Sequence, residues 1–505
     1  MLYALPLAVE EVPRLAAAWR HAGVIEYVAR TGGVDPSIDA YFNWPGFFVL
    51  GAFVEQVAGL GSATGFLRWA PLVFPVLFLP PLLVIFRAAT ADLRLVWLAI
   101  WLFYAANWVG QDYFAPQALS FVLYLTVFAA LLRWFVSDYS RFRARANAAR
   151  GEIGAPAEAL RPAQRVGVMA AVMIVLAATV PTHQLTPFAA LVAIGALTVV
   201  GYSRAAALPV LFAVLIGGWI SFMTISYLSG HLEILAGGIG TLDKTVDASV
   251  GSRLQGSADH RLIVYLRLLL TGGVWLLAVL GAARSFREGR LRRPMATLAL
   301  APFLLVALQP YGGEILLRVY LFTLPFMAFF VASLFYPRVA GGRGLWTSGA
   351  VAVLAVVVLS GTLFARYGNE RMEHFTQEEV DAVSYLYEVA PPGSLLVSWG
   401  RNLPWKFQDY EKFEYRVVTD EDERPADERP RRTVSRIAAL MRDSGRGNAY
   451  FVVTRGQSAE NDLLGLSMPR SLERVEALIA ASSTFDLLYR NADGAIFVLA
   501  GGDRA

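Results

Sequence analysis

The sequence predicts an α-helical polytopic membrane protein of about ten transmembrane helices, followed by an extracytoplasmic α/β domain. Three observations carry that prediction. Ten apolar stretches each approach the roughly 20 residues that cross a bilayer. Positive charge alternates between successive loops. Near residue 367 the composition turns from apolar and basic to polar and slightly acidic: 23 of the 40 acidic residues fall in 369–505. Apolar residues make up 56% of the 505, charged residues only 17%, and mean hydropathy is +0.49, far from a soluble average.

Residues 1–65 open the chain without a basic n-region, an apolar h-region or an earlier span. Ten spans with the tail outside place 1–65 outside as well, so a first transmembrane helix is expected upstream of Met1, the alternative being that the first 65 residues enter by another route. The stretch 46–60 (GFFVLGAFVEQVAGL) is short for a span and contains Glu55 and Gln56, which predicts an interfacial helix.

The spans are expected at 70–87, 94–110, 117–136, 166–182, 185–202, 206–228, 263–282, 296–311, 318–336 and 345–366. Loops 87–94, 133–165, 203–205, 284–294 and 337–344 hold 17 Lys/Arg, and the opposite loops hold three, Lys244, Arg253 and Arg261. Arginine-rich loops stay on the cytoplasmic side, which fixes orientation and predicts a bacterial plasma-membrane protein with residues 66–366 as the bundle. Topology alone explains the arginine surplus, so it argues for no nucleic-acid partner. Cysteine is absent, which excludes disulfides, thiolate metal sites and cysteine nucleophiles.

Residues 367–505 read as a separate soluble domain. Val380, Val383, Leu386 and Val389 share one helical face, and Pro391, Pro392 and Gly393 stop that helix. The runs SLLVSW (394–399) and AYFVVTR (449–455) suit buried strands, and the charged stretch from Thr419 to Arg432 suits a loop. SLERVEALIAAS reads as a second helix, and FDLLYRNADGAIFVLA as a hairpin turning at Asn491–Gly494. The domain contains no glycine fingerprint, P-loop, HExxH or GxSxG, so no chemistry is assigned to it.

Chemistry is sought instead at the outer span ends, where several polar residues converge. Asp112 and Tyr113 follow the second span, His183 and Gln184 occupy a very short turn, and Glu314 and Arg318 flank another. The first loop adds His21, Glu26, Asp35 and Asp39 with the aromatics Tyr41, Phe42 and Trp44. All five histidines (His21, His183, His231, His260, His374) fall on the predicted outer side. Each residue also has a structural reading. Asp112 could cap the next helix, and His183 could bond backbone freed by Pro181 and Pro187. Glu314 and Arg318 are spaced for a helical ion pair. Asp35 and Asp39 could serve a turn at Pro36, and the aromatics could anchor the interface. The joint placement on one side carries the functional reading.

A long first outer loop, surface-lying helices, many spans and a C-terminal α/β domain together resemble the GT-C superfamily of membrane glycosyltransferases. The strings HAGVIEYVARTGGVDPSIDAYFNWPGFF, WVGQDYFAPQALSF, THQLTPF and LRVYLFTLPFMAFF also look like actinobacterial members of that group. The resemblance implies a polyprenyl-phosphate sugar donor, a glycan or lipid acceptor of the cell envelope, and close contact with membrane lipid. It also implies a catalytic acid early in the first outer loop, sometimes with a divalent metal. Matching positions are Asp35 and Asp39, or Glu10 and Glu11 if a helix ends just before Met1. The chain departs from the pattern in lacking a first helix and a DxD or ExD pair near its start. On chemical grounds Asp35, Asp39 or Asp112 would act as general base, and Arg318 would clamp the phosphate. His21, Tyr113, His183, Gln184 and Glu314 would contact substrate. The alternatives are a transporter or flippase of lipid-linked glycan, for which inverted-repeat symmetry would argue, and a non-enzymatic scaffold of envelope assembly.

Overall fold

The computed structural model describes residues 2–135, 160–224, 247–307, 313–336, 345–421, 430–442 and 448–501. Within the described residues each of the ten expected stretches contains a helix. Six are long and apolar enough to cross a membrane: Ala70–Ala89, Pro116–Trp134, Pro162–Thr182, Ala258–Arg287, Ile315–Phe335 and the one ending at Tyr367. Between them lie the shorter apolar helices Leu93–Ala106, Thr186–Val199, Leu208–Met223 and Arg293–Ala307, the last finishing as a 3₁₀ turn from Ala301. The protein is therefore a multi-pass membrane protein with a small C-terminal sheet domain.

Proline starts many of these helices. Pro71, Pro116, Pro162, Pro187, Pro209 and Pro294 each occupy one of the first two helical positions, where no intrahelical N–H bond is lost and φ is already set. Ile315–Phe335 is the hub of the bundle, buried over most of its length. It packs on Ala258–Arg287 at Gly281, where a Cβ would lie 2.0 Å from the Phe330 carbonyl oxygen. Only a glycine permits that approach, the small-residue packing typical of membrane helices.

The first 65 residues form short surface elements. Helix Ala16–Thr31 ends at Gly32, which adopts φ +69°. Gly46–Ala58 has 13 residues, about 20 Å at 1.5 Å per residue, short of a bilayer core. Phe47, Phe48 and Ala52 are buried while Phe53 and Val57 are exposed, the two-faced pattern of a helix lying along an apolar surface.

The C-terminal domain carries a five-stranded sheet of order β2-β1-β3-β5-β4, with β1 Leu395–Ser398, β2 Glu414–Val417, β3 Ala449–Thr454, β4 Phe485–Arg490 and β5 Gly494–Leu499. Strands β2, β1 and β3 run parallel, and β5 and β4 close the sheet antiparallel. Side chains alternate between two cores. Val397, Phe451 and Phe497 pack with Ile437 and Val475 on one face. Leu396, Val452 and Ile496 pack with Val383 and Leu386 on the other. Sequence patterning places β1, β3, the hairpin and two helices. It omits β2 and the helices Pro430–Arg442 and Arg455–Leu464. Thr419–Glu421 belongs to a helical turn and Pro430–Arg432 to a helix, both within the stretch read as a loop; 422–429 lies outside the described residues.

This domain sits on the first loop. The Trp19 and Phe407 rings meet edge to face at 5.3 Å. Arg30 bonds Glu26 and Glu411 at 2.7 and 2.6 Å. Gly23 touches the Lys406 carbonyl so closely that a Cβ would stand 1.8 Å from its oxygen. Two further ties run from the last membrane helix and its extension. Arg366 bonds Asp112, and Glu370 accepts from Arg14 at 2.6 Å.

Candidate active site

A cavity of about 190 Å³ opens where the first loop meets three inter-helix turns at one end of the bundle. Its walls come from residues distant in sequence: His21, Tyr41 and Trp44 from the first loop, Gln111, Tyr113 and Gln117 around the 107–115 turn, His183 and Gln184, and Glu314 and Arg318. Local sequence explains each placement. Gly110 takes φ +72° and turns the chain between spans. Pro181 and Pro187 flank the short turn that holds His183, whose extended backbone caps the Pro162–Thr182 helix. Arg318 lies one helical turn after Glu314.

His21 is 1% exposed. Its Nδ1 lies 2.7 Å from the Phe114 carbonyl oxygen, which can only accept, so Nδ1 carries the hydrogen. Among the described residues its Nε2 has no hydrogen-bond partner. The ring stacks on Tyr113 at 5.9 Å and meets Tyr41 edge-on at 4.9 Å. Burial pushes its pKa down to about 4, against the opposing bond to Phe114, so the imidazole is neutral at physiological pH.

His183 adopts the opposite tautomer. Its Nδ1 accepts from the Leu185 and Thr186 backbone N–H groups, both at 3.2 Å, and lies 3.1 Å from the Thr186 hydroxyl. Backbone N–H groups can only donate, so the hydrogen sits on Nε2. Burial, then Arg318, holds this pKa well below the ordinary histidine value. The Thr186 oxygen in turn accepts from Gln117 Nε2 at 3.3 Å, leaving Gln117 Oε1 buried without a partner among the described residues. Arg318 pairs with Glu314, whose other oxygen stands 3.9 Å from Arg253.

The six residues expected to contact substrate (His21, Tyr113, His183, Gln184, Glu314 and Arg318) all line this cavity. The three candidate acids do not. Asp35 is half-buried and accepts from the Ser37 backbone and hydroxyl at 2.9 and 2.6 Å, bonds that lower its pKa. Asp112 is buried, and both its oxygens accept from Arg366 Nη2 at 2.8 and 2.7 Å, while the guanidinium lies over the Tyr3 ring. Asp39 is nearest in connectivity. It caps the 3₁₀ turn by accepting from Tyr41 N at 3.0 Å and accepts from Arg20 Nε at 2.9 Å; the Arg20 guanidinium lies 4.8 Å from the Tyr41 ring centre. Sequence reading passes over Gln111, Gln117 and the partners Arg20 and Arg366. A glutamine in the first turn of an apolar helix is the signal that could have singled out Gln117, because a buried amide there needs partners.

Among the described residues the one carboxylate lining the cavity is Glu314, already paired with a guanidinium, a poor start for a cation site. Among the described residues, a metal-type donor set occurs elsewhere, at Glu10, Glu370 and His374, whose ligand atoms all lie within 4.8 Å of one another. Arg14 bonds Glu370 there. Burial, then the Glu10 carboxyl, pushes the Glu370 pKa up to about 8.

No protein-family model and no curated protein matches the sequence. Solved structures do. The chain is similar to the Archaeoglobus fulgidus oligosaccharyltransferase tethered with an acceptor peptide, with a TM-score of 0.53 and 12% identity over 94% of this chain and 70% of that one. It is also similar to ArnT from Cupriavidus metallidurans bound to undecaprenyl phosphate, with a TM-score of 0.52 and 12% identity over 99% and 97%. This chain shares the fold of these two proteins.

Proposed function

We propose that this protein is a GT-C-type membrane glycosyltransferase that moves a sugar from a polyprenyl-phosphate donor to a cell-envelope acceptor on the outer face. One observation carries the reading: four separated segments deliver a cation, two neutral histidines, three glutamines and stacked aromatics to one cavity at one end of the bundle. A pocket confined to that end favours transfer over translocation, which would need a path through the midplane. The arginine distribution assigns that end to the outside.

Arg318 would hold the donor phosphate in exchange for Glu314, because phosphate carries more charge and presents more acceptor oxygens than a carboxylate. His183 and Gln184 would place the donor beside it, and Tyr113 and Trp44 suit the faces of sugar rings. Of the three acids, Asp39 is the one whose bonds lead to the cavity wall. It would serve as general base once Arg20 turns aside, while Asp112 and Asp35 remain in their ion pair and turn.

The test measures polyprenyl phosphate released from a panel of farnesyl-phosphoryl hexoses and pentoses by the full chain in nanodiscs, with envelope extract as acceptor. Arg318→Ala should lower the rate about 100-fold or more, and Asp39→Asn on the order of 10²–10⁴-fold. No release from any donor, or parental rates in both variants, would overturn the proposal.

A further inference from the structure

Two buried acceptor atoms and one donor face the same small cavity, and their polarities are set by obligate partners. Phe114's carbonyl fixes the hydrogen of His21 on Nδ1 and leaves Nε2 bare. The Leu185 and Thr186 N–H groups fix the His183 hydrogen on Nε2. With His183 Nδ1 acting as acceptor, the Thr186 hydroxyl donates to it, so Thr186 must accept from Gln117. That orients the amide and leaves Gln117 Oε1 bare. Both His21 and Gln117 are at least 98% buried. A buried acceptor without a partner costs roughly 1–3 kcal/mol, and the fold keeps two of them in the walls of one pocket.

We infer that this cavity reads the hydroxyls of the donor's sugar ring, with His21 Nε2 and Gln117 Oε1 each accepting a hydrogen from a sugar hydroxyl and His183 Nε2–H donating to a ring or hydroxyl oxygen. The inference rests on the lipid-phosphate-sugar reading above and adds the substrate class: an uncharged sugar unit with free hydroxyls at two positions. At about 190 Å³ the pocket is below the range for drug-sized ligands and suits one ring, not a disaccharide. Tyr113, stacked against His21, supplies an aromatic face beside these polar groups. Buried hydrogen-bonding walls of this kind discriminate strongly, because a ligand lacking the hydroxyl leaves the wall atoms unmatched.

The test uses decyl-phosphoryl mannose, glucose and arabinose, with decyl phosphate as the probe lacking sugar, on the full chain in nanodiscs. With ¹⁵N-histidine labelling, the free protein should show His21 in the Nδ1–H form and His183 in the Nε2–H form. At least one sugar-bearing probe should move the His21 Nε2 signal and bind tighter than decyl phosphate. His21→Phe should remove that sugar-dependent gain, about tenfold or more, and retain decyl phosphate affinity. His21→Gln, which keeps an amide to bond Phe114, should lose less. The spectrum of the unmutated chain decides the matter even if His21→Phe folds poorly. Equal binding of sugar-bearing and sugar-free probes with an unmoved His21 signal would overturn this inference and leave the lipid-phosphate reading standing. Absence of binding by every probe would overturn both. Decyl mannoside, which lacks phosphate, shifting His21 as strongly as the phosphoryl probe would assign the ring to the acceptor and overturn the donor assignment.

Discussion

Removing the Asp112 carboxylate separates a structural role from a catalytic one. Asp112 is 1% exposed, and its two oxygens accept charge-assisted bonds of 2.8 and 2.7 Å from Arg366, itself 7% exposed. This pair joins the 107–115 turn, which forms one cavity wall, to the last membrane helix. Breaking a buried pair by removing one partner leaves an uncompensated charge and costs about 3–5 kcal/mol. Asp112→Leu should therefore lower the thermal midpoint followed by intrinsic tryptophan fluorescence by several degrees. Asp112→Asn, which keeps one acceptor, should fall by less. Replacing both partners, Asp112→Leu with Arg366→Met, should recover most of the loss, since an apolar pair of similar volume carries no stranded charge. At temperatures where the variants remain folded, transfer should stay within a few-fold of the parent. A variant as stable as the parent but slower by 10²–10⁴-fold would refute this reasoning and make Asp112 the base.

Other expectations follow from the contacts around the site. Glu370 has its folded pKa raised to about 8 by burial and by Glu10. As pH rises from about 5 to 8 the unfolded carboxyl ionises first, so this contribution to stability is full below the unfolded value and lost through the folded one. Hydrogen exchange of residues 2–14, corrected for intrinsic rates, should therefore quicken toward pH 8 in the parent and much less in Glu370→Gln. Gly23→Ala would drive a methyl into the Lys406 carbonyl. It should cost about 1–3 kcal/mol and raise protease sensitivity near residue 406, whereas Gly33→Ala, with open space around it, should leave that sensitivity unchanged. Reporter fusions at Arg143 and Ser458 should mark opposite sides of the membrane; the same side for both would sink the ten-span topology.

The parts of this molecule legible in sequence are those set by local pattern. Apolar runs of span length gave helices, short continuous apolar runs gave β1 and β3, and Asn491–Gly494 gave the hairpin turn. The site was half legible for the same reason. Polar residues in short turns between apolar spans, such as His183 and Gln184, have few places to go except toward one another. Gln117 was hidden because it lies inside a span boundary, where hydropathy averages it away. The fate of the acids was not legible at all. Asp112 is decided by Arg366, 254 positions away, and Asp39 by Arg20 across a helix and a loop. Nothing in the neighbourhood of either acid announces its partner. Likewise β2 is a short strand of half-buried residues without a clear apolar signature, visible only once β1 supplies its edge.

The charge arrangement of the cavity explains why neutral histidines belong there. Glu314 and Arg318 cancel within one helical turn, and Arg253 stands 3.9 Å from the same carboxylate, so the pocket's end carries an excess of one positive charge before substrate enters. A protonated histidine beside Arg318 would add repulsion in a low-dielectric site and lose its acceptor lone pair. Burial of His21 and His183 prevents that and leaves each ring one donor and one acceptor, fixed by backbone groups that do not titrate. Phosphate is thus met by guanidinium, and the sugar by uncharged, oriented atoms that need no reorganisation on binding. The two recognition tasks are separated by charge type within a single small pocket. It follows that acidification to near pH 4 should weaken the sugar-dependent part of binding through protonation of His21, while binding of methyl decyl phosphate, a sugar-free diester that keeps its single charge where a monoester would titrate, should persist. A sugar-dependent gain that stays constant from pH 7 down to below 4 would show that His21 Nε2 is not the acceptor.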